Sequence, residues 1–270
     1  MITFPNAKIN LGLNVVEKRP DNYHNIETVF IPLGLKDILE VVHNTESEAP
    51  YMMENTGIVV DAPVQENICV KALELLKKDF DIGPVKIHLH KVIPFGAGLG
   101  GGSSDGANML KLVNDFFELE LTNGRLKKYA VQLGADCPFF IENRPVFATG
   151  IGDITEPVDI NLSGYYFVLI IPDIKVSTPE AYRYVKPKTP EYDLREIIKL
   201  PVEEWKGKII NDFEHSVFKQ YPGIKKVKDY LYESGAVYAS MSGSGSSVYG
   251  FFRGKPDLKS NNMFVWVQEF

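Results

Sequence analysis

A chain of 270 residues, 44% apolar and 24% charged, has the make-up of a folded globular protein of about two domains. Its 35 acidic against 29 basic residues leave a net charge of −6, so no overall positive field serves nucleic acid, and any phosphate must be gripped locally by amides and a few placed cations. No apolar run approaches the ~18–20 residues of a membrane span, the start Met1-Ile2-Thr3-Phe4-Pro5 has no secretion-leader pattern, and two cysteines, Cys69 and Cys137, read as reduced core thiols of a cytoplasmic protein.

Strands come first. Residues 9–17, 23–33 and 38–43 are rich in β-branched and aromatic side chains. Lys18-Arg19-Pro20-Asp21-Asn22 between the first two reads as a turn, with Asn22 able to take positive φ. Residues 65–80 carry Ile68, Ala72, Leu75, Leu76 and Phe80 at helical spacing. Residues 85–92 alternate Val85, Ile87 and Leu89 with Lys86, His88 and His90, as a strand with one wet face does. A glycine-rich loop, 94–102, leads into a helix over about 104–119 and a second over 122–133 that stops at Gly134. Residues 137–142 and 145–149 are expected to be extended. The turn-rich stretch from Gly150 to Gly164 marks the division between two parts, after which 165–171 is a buried strand. Helices over 179–185, 213–221 and 224–233 then precede strands over 237–241, 247–252 and 263–268. The class is α+β in two parts.

The loop Pro94-Phe95-Gly96-Ala97-Gly98-Leu99-Gly100-Gly101-Gly102-Ser103-Ser104 has five glycines in seven positions. Missing Cβ atoms let backbone amides converge on an anion, and the helix that follows adds its own unpaired amides. A flexible linker does not lead straight into a serine-capped amphipathic helix. Gly96, Gly98 and Gly101 form G-x-G-x-x-G, but the alternating strand before and the helix-then-helix after are not the dinucleotide setting. Gly102 to Gly106 fits G-x-S-x-G, yet a nucleophile elbow is an abrupt strand-to-helix turn and here a long loop intervenes. No G-K-S or G-K-T occurs. A phosphate-binding loop of a non-Walker kind remains. Ser242-Gly243-Ser244-Gly245-Ser246-Ser247, between two strands, has more glycine than a hairpin needs and points to close approach of backbone and ligand. Lys8 and Asn10 share one strand face; standing alone, Lys8 reads as a solvated charge.

Together these three segments resemble the galactokinase, homoserine kinase, mevalonate kinase and phosphomevalonate kinase superfamily, whose P-x-x-x-G-L-G-S-S-like loops are matched by Pro94 to Ser104. The similarity is strongest to its branch acting on a cytidine-diphosphate-linked methylerythritol. It is carried by Pro5-Asn6-Ala7-Lys8-Ile9-Asn10-Leu11, Arg19-Pro20-Asp21-Asn22-Tyr23-His24, Gly98 to Ser104, Leu133-Gly134-Ala135-Asp136-Cys137-Pro138-Phe139-Phe140 and Ser242 to Ser247. Departures are small: Asn22 stands where the family has glycine, and Asp105-Gly106 and Cys137 are mild variants.

The resemblance implies a two-domain α+β small-molecule kinase, with an N-terminal ribosomal-protein-like α/β domain over 1–158 and a C-terminal ferredoxin-like domain over 159–270. It implies transfer of the γ-phosphoryl group of ATP, with magnesium whose ligands stay unassigned, to the 2-hydroxyl of 4-diphosphocytidyl-2-C-methyl-D-erythritol. Lys8 and Asp136 are the implied catalytic pair. Pro94, Phe95, Gly96, Ala97, Gly98, Leu99, Gly100, Gly101, Gly102, Ser103 and Ser104 would hold the triphosphate, with Asn67 and Lys91 toward the adenosine. Asn10, Tyr23, His24, Thr178 and Tyr182 would take the second substrate, an aromatic pair stacking its cytosine. The implied partners are these small molecules, without nucleic acid or membrane, on a monomer or weak homodimer. Another alcohol kinase of the superfamily, for mevalonate or homoserine, is the alternative within enzymes. A silent nucleotide-binding protein would keep the glycine loops and lose the acid–base pair, and both Lys8 and Asp136 are present.

Overall fold

A computed structural model describes residues 1–60, 62–258 and 263–270. In chain order the elements are β1 (Ile2–Thr3), β2 (Asn6–Lys18), β3 (His24–Lys36), β4 (Ile38–His43), β5 (Tyr51–Gly57), α1 (Ile68–Lys77), β6 (Val85–Lys91), α2 (Gly101–Phe116), α3 (Asn123–Leu133), α4 (Cys137–Glu142), β7 (Val146–Thr149), β8 (Ile154–Pro157), β9 (Tyr166–Ile171), α5 (Thr178–Tyr182), α6 (Leu194–Ile197), α7 (Phe213–Gln220), α8 (Pro222–Glu233), β10 (Tyr238–Met241), β11 (Val248–Phe252) and β12 (Phe264–Glu269). No helix among the described residues is long and apolar enough to cross a membrane.

The chain divides into two compact units that interleave: Met1–Lys8, Pro32–Phe95 and Gly100–Arg144 form one, and Ile9–Ile31, Gly96–Leu99 and Pro145–Phe270 the other. A single cut near Val158 therefore does not separate them. The reason lies in packing, since Leu13, Val15 and Ile26 share one buried cluster with Val168, Ile170, Val217 and Met241.

In the first unit the sheet runs β1-β4-β6-β5, with β4 antiparallel and β5 parallel to β6. The alternation of β6 sends Val85, Ile87, Leu89 and also Lys91 to the buried face. Asn67 starts α1 by accepting a hydrogen bond from the Cys69 amide, and the helix buries Cys69, Val70, Ala72, Leu73 and Leu76. Thr122 caps α3, which ends at Gly134 as its sequence foretells. Residues 137–142, expected as a strand, form the helix α4. Pro138 sits in its first turn, where a missing N–H costs nothing, and its four apolar residues after Cys137 are buried as a plug rather than paired as a strand. The helix expected from 104 begins earlier, at Gly101, with Gly100 at φ +66 as its N-cap.

Most of the sheet β2-β3-β7-β8 belongs to the second unit, and the turn between β2 and β3 places Asn22 at φ +68. The other, β10-β11-β9-β12, is antiparallel throughout. One face packs Ile224, Val227 and Leu231 of α8 with Val217 of α7. The other packs aromatics: Trp205 lies edge-on to Tyr238 and Phe251, each at 5.7 Å, and Phe167 lies 5.6 Å from Tyr249. With both faces covered, every residue of β11 is buried.

Candidate active site

In the first unit Lys8 lies on β2 and Asp136 stands immediately before α4. Their side chains form an ion pair with Nζ to Oδ2 at 3.2 Å, the lysine 5% and the aspartate 32% exposed. Aspartate before a helix ordinarily turns back to cap it. Asp136 instead has helical φ and ψ (−81°, −16°) and makes no capping bond, so its carboxylate is committed to Lys8 while one side stays open to water. A Cβ on Gly100 would meet Lys8 Cε and Cγ at 3.1 Å and Phe140 at 3.0 Å, so the lysine stem runs directly against the helix start. The ammonium is thus fixed beside the Asp136 carboxylate and close to the N-terminus of α2.

That N-terminus is an anion cradle by geometry. Ser104 N–H bonds the Gly100 carbonyl at 2.8 Å, while Gly100 has no side chain with which to cap the first turn. The amides of Gly101, Gly102 and Ser103 are those a helix leaves without internal partners. A Cβ on Gly102 would meet nothing within 4 Å, open space where a ligand atom fits. Ser103 hydrogen-bonds Cys137, whose thiol burial pushes up to about 12, so this contact ties the cradle to α4 without a reactive thiolate.

The Lys91 side chain turns inward from the loop. Its ammonium has no exposed surface and donates to Asp37 Oδ2 at 2.5 Å and to Asp105 Oδ2 at 2.7 Å, so the charge is spent within the protein. Asn67 likewise commits its side-chain oxygen to capping α1, at 2.9 Å from the Cys69 amide. Asp37 and Asp105 carry no local signal of this pairing, because their partner Lys91 is 54 and 14 residues away.

In the second unit the glycine loop continues through Gly96 (φ +65) and Gly98 (φ +75). A Cβ on Gly98 would collide with the Ser242 carbonyl oxygen, and the Ser242 hydroxyl donates to the Gly98 carbonyl at 2.8 Å. The two glycine–serine segments that the sequence singles out therefore meet. The Asn10 amide donates to Ser242 Oγ at 3.1 Å, and its side chain donates to Thr28 Oγ1 at 3.0 Å. The Ser247 hydroxyl is buried and has no partner among the described residues.

The aromatic residues named from sequence also assemble here. His24 stacks on Tyr182, with ring centroids 4.5 Å apart and planes 19° apart, and Phe213 meets Tyr182 edge-on at 4.7 Å. Tyr23 is 60% exposed beside them in sequence. Burial, with some help from Lys18, lowers the His24 imidazole below its ordinary value, so it is neutral at pH 7. Tyr182 hangs from α5, which Ser177 and Glu180 fix with a capping box. Thr178 is exposed on the first turn of that helix.

Comparison with known proteins gives one answer. Residues 67–144 match the model for the GHMP kinases N terminal domain and residues 195–262 that for the GHMP kinases C terminal. The chain is 57% identical to a 4-diphosphocytidyl-2-C-methyl-D-erythritol kinase of Parabacteroides distasonis over 98% of its length and 96% of the relative's. It is 54% identical to one of Bacteroides fragilis over 97% and 95%. Among solved structures it is similar to a 4-(cytidine 5'-diphospho)-2C-methyl-D-erythritol kinase, with a TM-score of 0.75 at 32% identity, covering 93% of this chain and 89% of that one. The Methanococcus jannaschii mevalonate kinase shares the fold, with a TM-score of 0.70 at 15% identity over 100% and 98%.

Proposed function

The chain belongs to the GHMP kinases and, within them, to the 4-diphosphocytidyl-2-C-methyl-D-erythritol kinases, and on that premise we propose that Lys8 and Asp136 serve the transfer of the γ-phosphoryl group of ATP to the 2-hydroxyl of 4-diphosphocytidyl-2-C-methyl-D-erythritol. The observation that carries this assignment is the 3.2 Å pair of a nearly buried lysine and a partly open aspartate next to a helix start with free amides.

Phosphoryl transfer passes through a loose transition state, so the protein's task is positioning and charge stabilisation more than covalent chemistry. The amides of Gly101, Gly102 and Ser103, and the loop from Pro94 to Ser104 as a whole, hold the triphosphate. Asp136 accepts a hydrogen bond from the acceptor hydroxyl and takes its proton as the oxygen bonds to phosphorus. Lys8 orients that carboxylate through their ion pair and offsets negative charge on the moving phosphoryl oxygens. Magnesium, which supplies further charge neutralisation when bound with ATP, would be held mainly by the nucleotide's phosphates, with Asp136 as the carboxylate this chain offers. No group of three or more His, Cys, Asp or Glu among the described residues forms a metal cage, and magnesium commonly takes one or two carboxylates with phosphates and water.

His24, Tyr182 and the exposed Tyr23 provide π-faces for the cytosine, and the neutral imidazole provides a donor and an acceptor for its edge. Asn10 and Thr178 are the polar neighbours for the rest of that substrate. The test is ADP release with ATP and magnesium against a panel of the diphosphocytidyl substrate, methylerythritol phosphate, mevalonate and homoserine. Turnover confined to the cytidine-bearing alcohol is expected. Preference for mevalonate or homoserine would keep the kinase and overturn the substrate.

A further inference from the structure

Beneath the first turn of α2 lies a charge cluster that the reacting pair does not use. Lys91, Asp37 and Asp105 have side chains 0%, 0% and 1% exposed. Asp37 is richly solvated by protein: besides the Lys91 ammonium it accepts the Val92 and Ile93 amides at 2.6 and 2.9 Å. Asp105 receives the Lys91 ammonium and no backbone amide, and among the described residues its Oδ1 is buried without a partner. One cation cannot neutralise two carboxylates, and a buried net charge is costly. The proton therefore belongs on Asp105, the carboxyl with fewer donors. Burial pushes that carboxyl up to about 8; Lys91 works against the rise, while Asp37 and the hydrogen bond between the two carboxyls add to it. Cys69 on α1 also faces the cluster. Burial and Asp105 push its thiol well up, so it stays neutral.

The cluster's place in the chain gives it work. Asp37 pins the two residues that lead into Pro94, Asp105 lies in the second turn of α2, and Lys91 joins them. A Cβ on Gly101 would come within 3.4 Å of Lys91 Nζ, so the charges sit directly under the cradle amides.

We propose that Lys91, Asp37 and Asp105 are positioning residues that support the triphosphate cradle, and that they do so as a net-neutral cluster holding one proton between two carboxyls. The proposal rests on the ATP-binding reading above. Loss of the proton would put a net negative charge a few ångströms below amides that receive a polyanion, which at an effective dielectric of about 20 lowers affinity by at least roughly tenfold.

The experiment measures calorimetric Kd for a non-hydrolysable ATP analogue with magnesium from pH 7 to 9.5, in the wild-type chain and in Asp105→Asn, alongside the infrared band of protonated carboxyls. The KM for the alcohol substrate is followed as the internal control. The wild type should weaken by at least tenfold across this range and lose one carboxyl band, while Asp105→Asn shows neither change and the alcohol KM stays level. Identical pH profiles in the two proteins, or a wild type without that band at pH 7, would overturn the proposal, the second result requiring no variant. Tight, pH-independent binding with a titrating band would remove the supporting role alone. No nucleotide binding at any pH would overturn the ATP reading and the support with it, while the band would still report the proton.

Discussion

Gly96 and Gly98 both have positive φ in the same loop, yet the structure gives them different surroundings, and alanine at each separates two costs. At Gly96 (φ +65) a Cβ meets nothing within 4 Å, so Gly96→Ala bears only the left-handed backbone cost, about 1–2 kcal/mol. At Gly98 (φ +75) the same cost applies, and the Cβ runs into the carbonyl oxygen of Ser242, a backbone atom that cannot swing aside. Relief requires the Ser242 segment to part, giving up the bonds from Ser242 Oγ to the Gly98 carbonyl and from the Asn10 amide to Ser242 Oγ, each about 1 kcal/mol. Gly98→Ala is therefore expected to lose about 3–4 kcal/mol, about 2 more than Gly96→Ala. Urea unfolding followed by tryptophan fluorescence reads the relevant region, because Trp205 and Trp266 both lie in the unit that contains Gly96, Gly98 and Ser242. Equal losses for the two variants would show that the contact with Ser242 contributes nothing and would refute the reasoning.

Lys8→Ala and Asp136→Ala should each lower kcat by at least ~10²-fold with the fold retained by circular dichroism; near-normal turnover in either would remove it from the reacting centre. Tyr182→Ala should raise KM for the cytidine-bearing substrate by roughly 5–150-fold, the span of ~1–3 kcal/mol of base stacking, and an unchanged KM with collapsed kcat would contradict stacking. Neither cysteine should react with a thiol reagent at pH 8 until the chain is unfolded: both are buried, and a Cys137 thiol at about 12 is thiolate in roughly one molecule in 10⁴. Rapid labelling of the native chain would refute that. Asp105 keeps a proton in the folded state that the unfolded chain releases near 3.8, so the folded state binds more protons and stability falls as pH rises from about 4 towards 8. Asp105→Asn, which needs no proton, should match the wild type near pH 4 and exceed it by up to roughly 4 kcal/mol at pH 7; a constant difference across that range would refute the assignment.

Local pattern carried most of the fold. The alternation of β6, the capped ends of α3 and the positive φ of Asn22 were all legible, because each depends on residues next to one another. The apolar run from Cys137 was misread because six residues fit a strand or a short helix equally well, and Pro138 was the overlooked cue. β5 carries little local signal, because Glu54 and Asn55 are poor strand formers; it exists by pairing along β6. At the site, the glycine loop and the Lys8 and Asp136 positions stood out as motif residues. Lys91 illustrates the limit: beside a phosphate loop a lysine reads as a ligand, and its pairing with two distant aspartates on the buried face of β6 has no local signal.

The interleaving of the two units sets a timetable for synthesis. Leu13 and Val15 leave the ribosome first, whereas Val168 and Ile170, which share their buried cluster, follow about 150 residues later. At ~5–20 residues per second that is a wait of roughly 8–30 s. During it β2 must stay unclaimed by neighbours of its own or other chains. The early unit can mature around α1 and α2 while the other remains an open account held by its oldest residues, so the final step of folding belongs to the end of the chain and not to its middle.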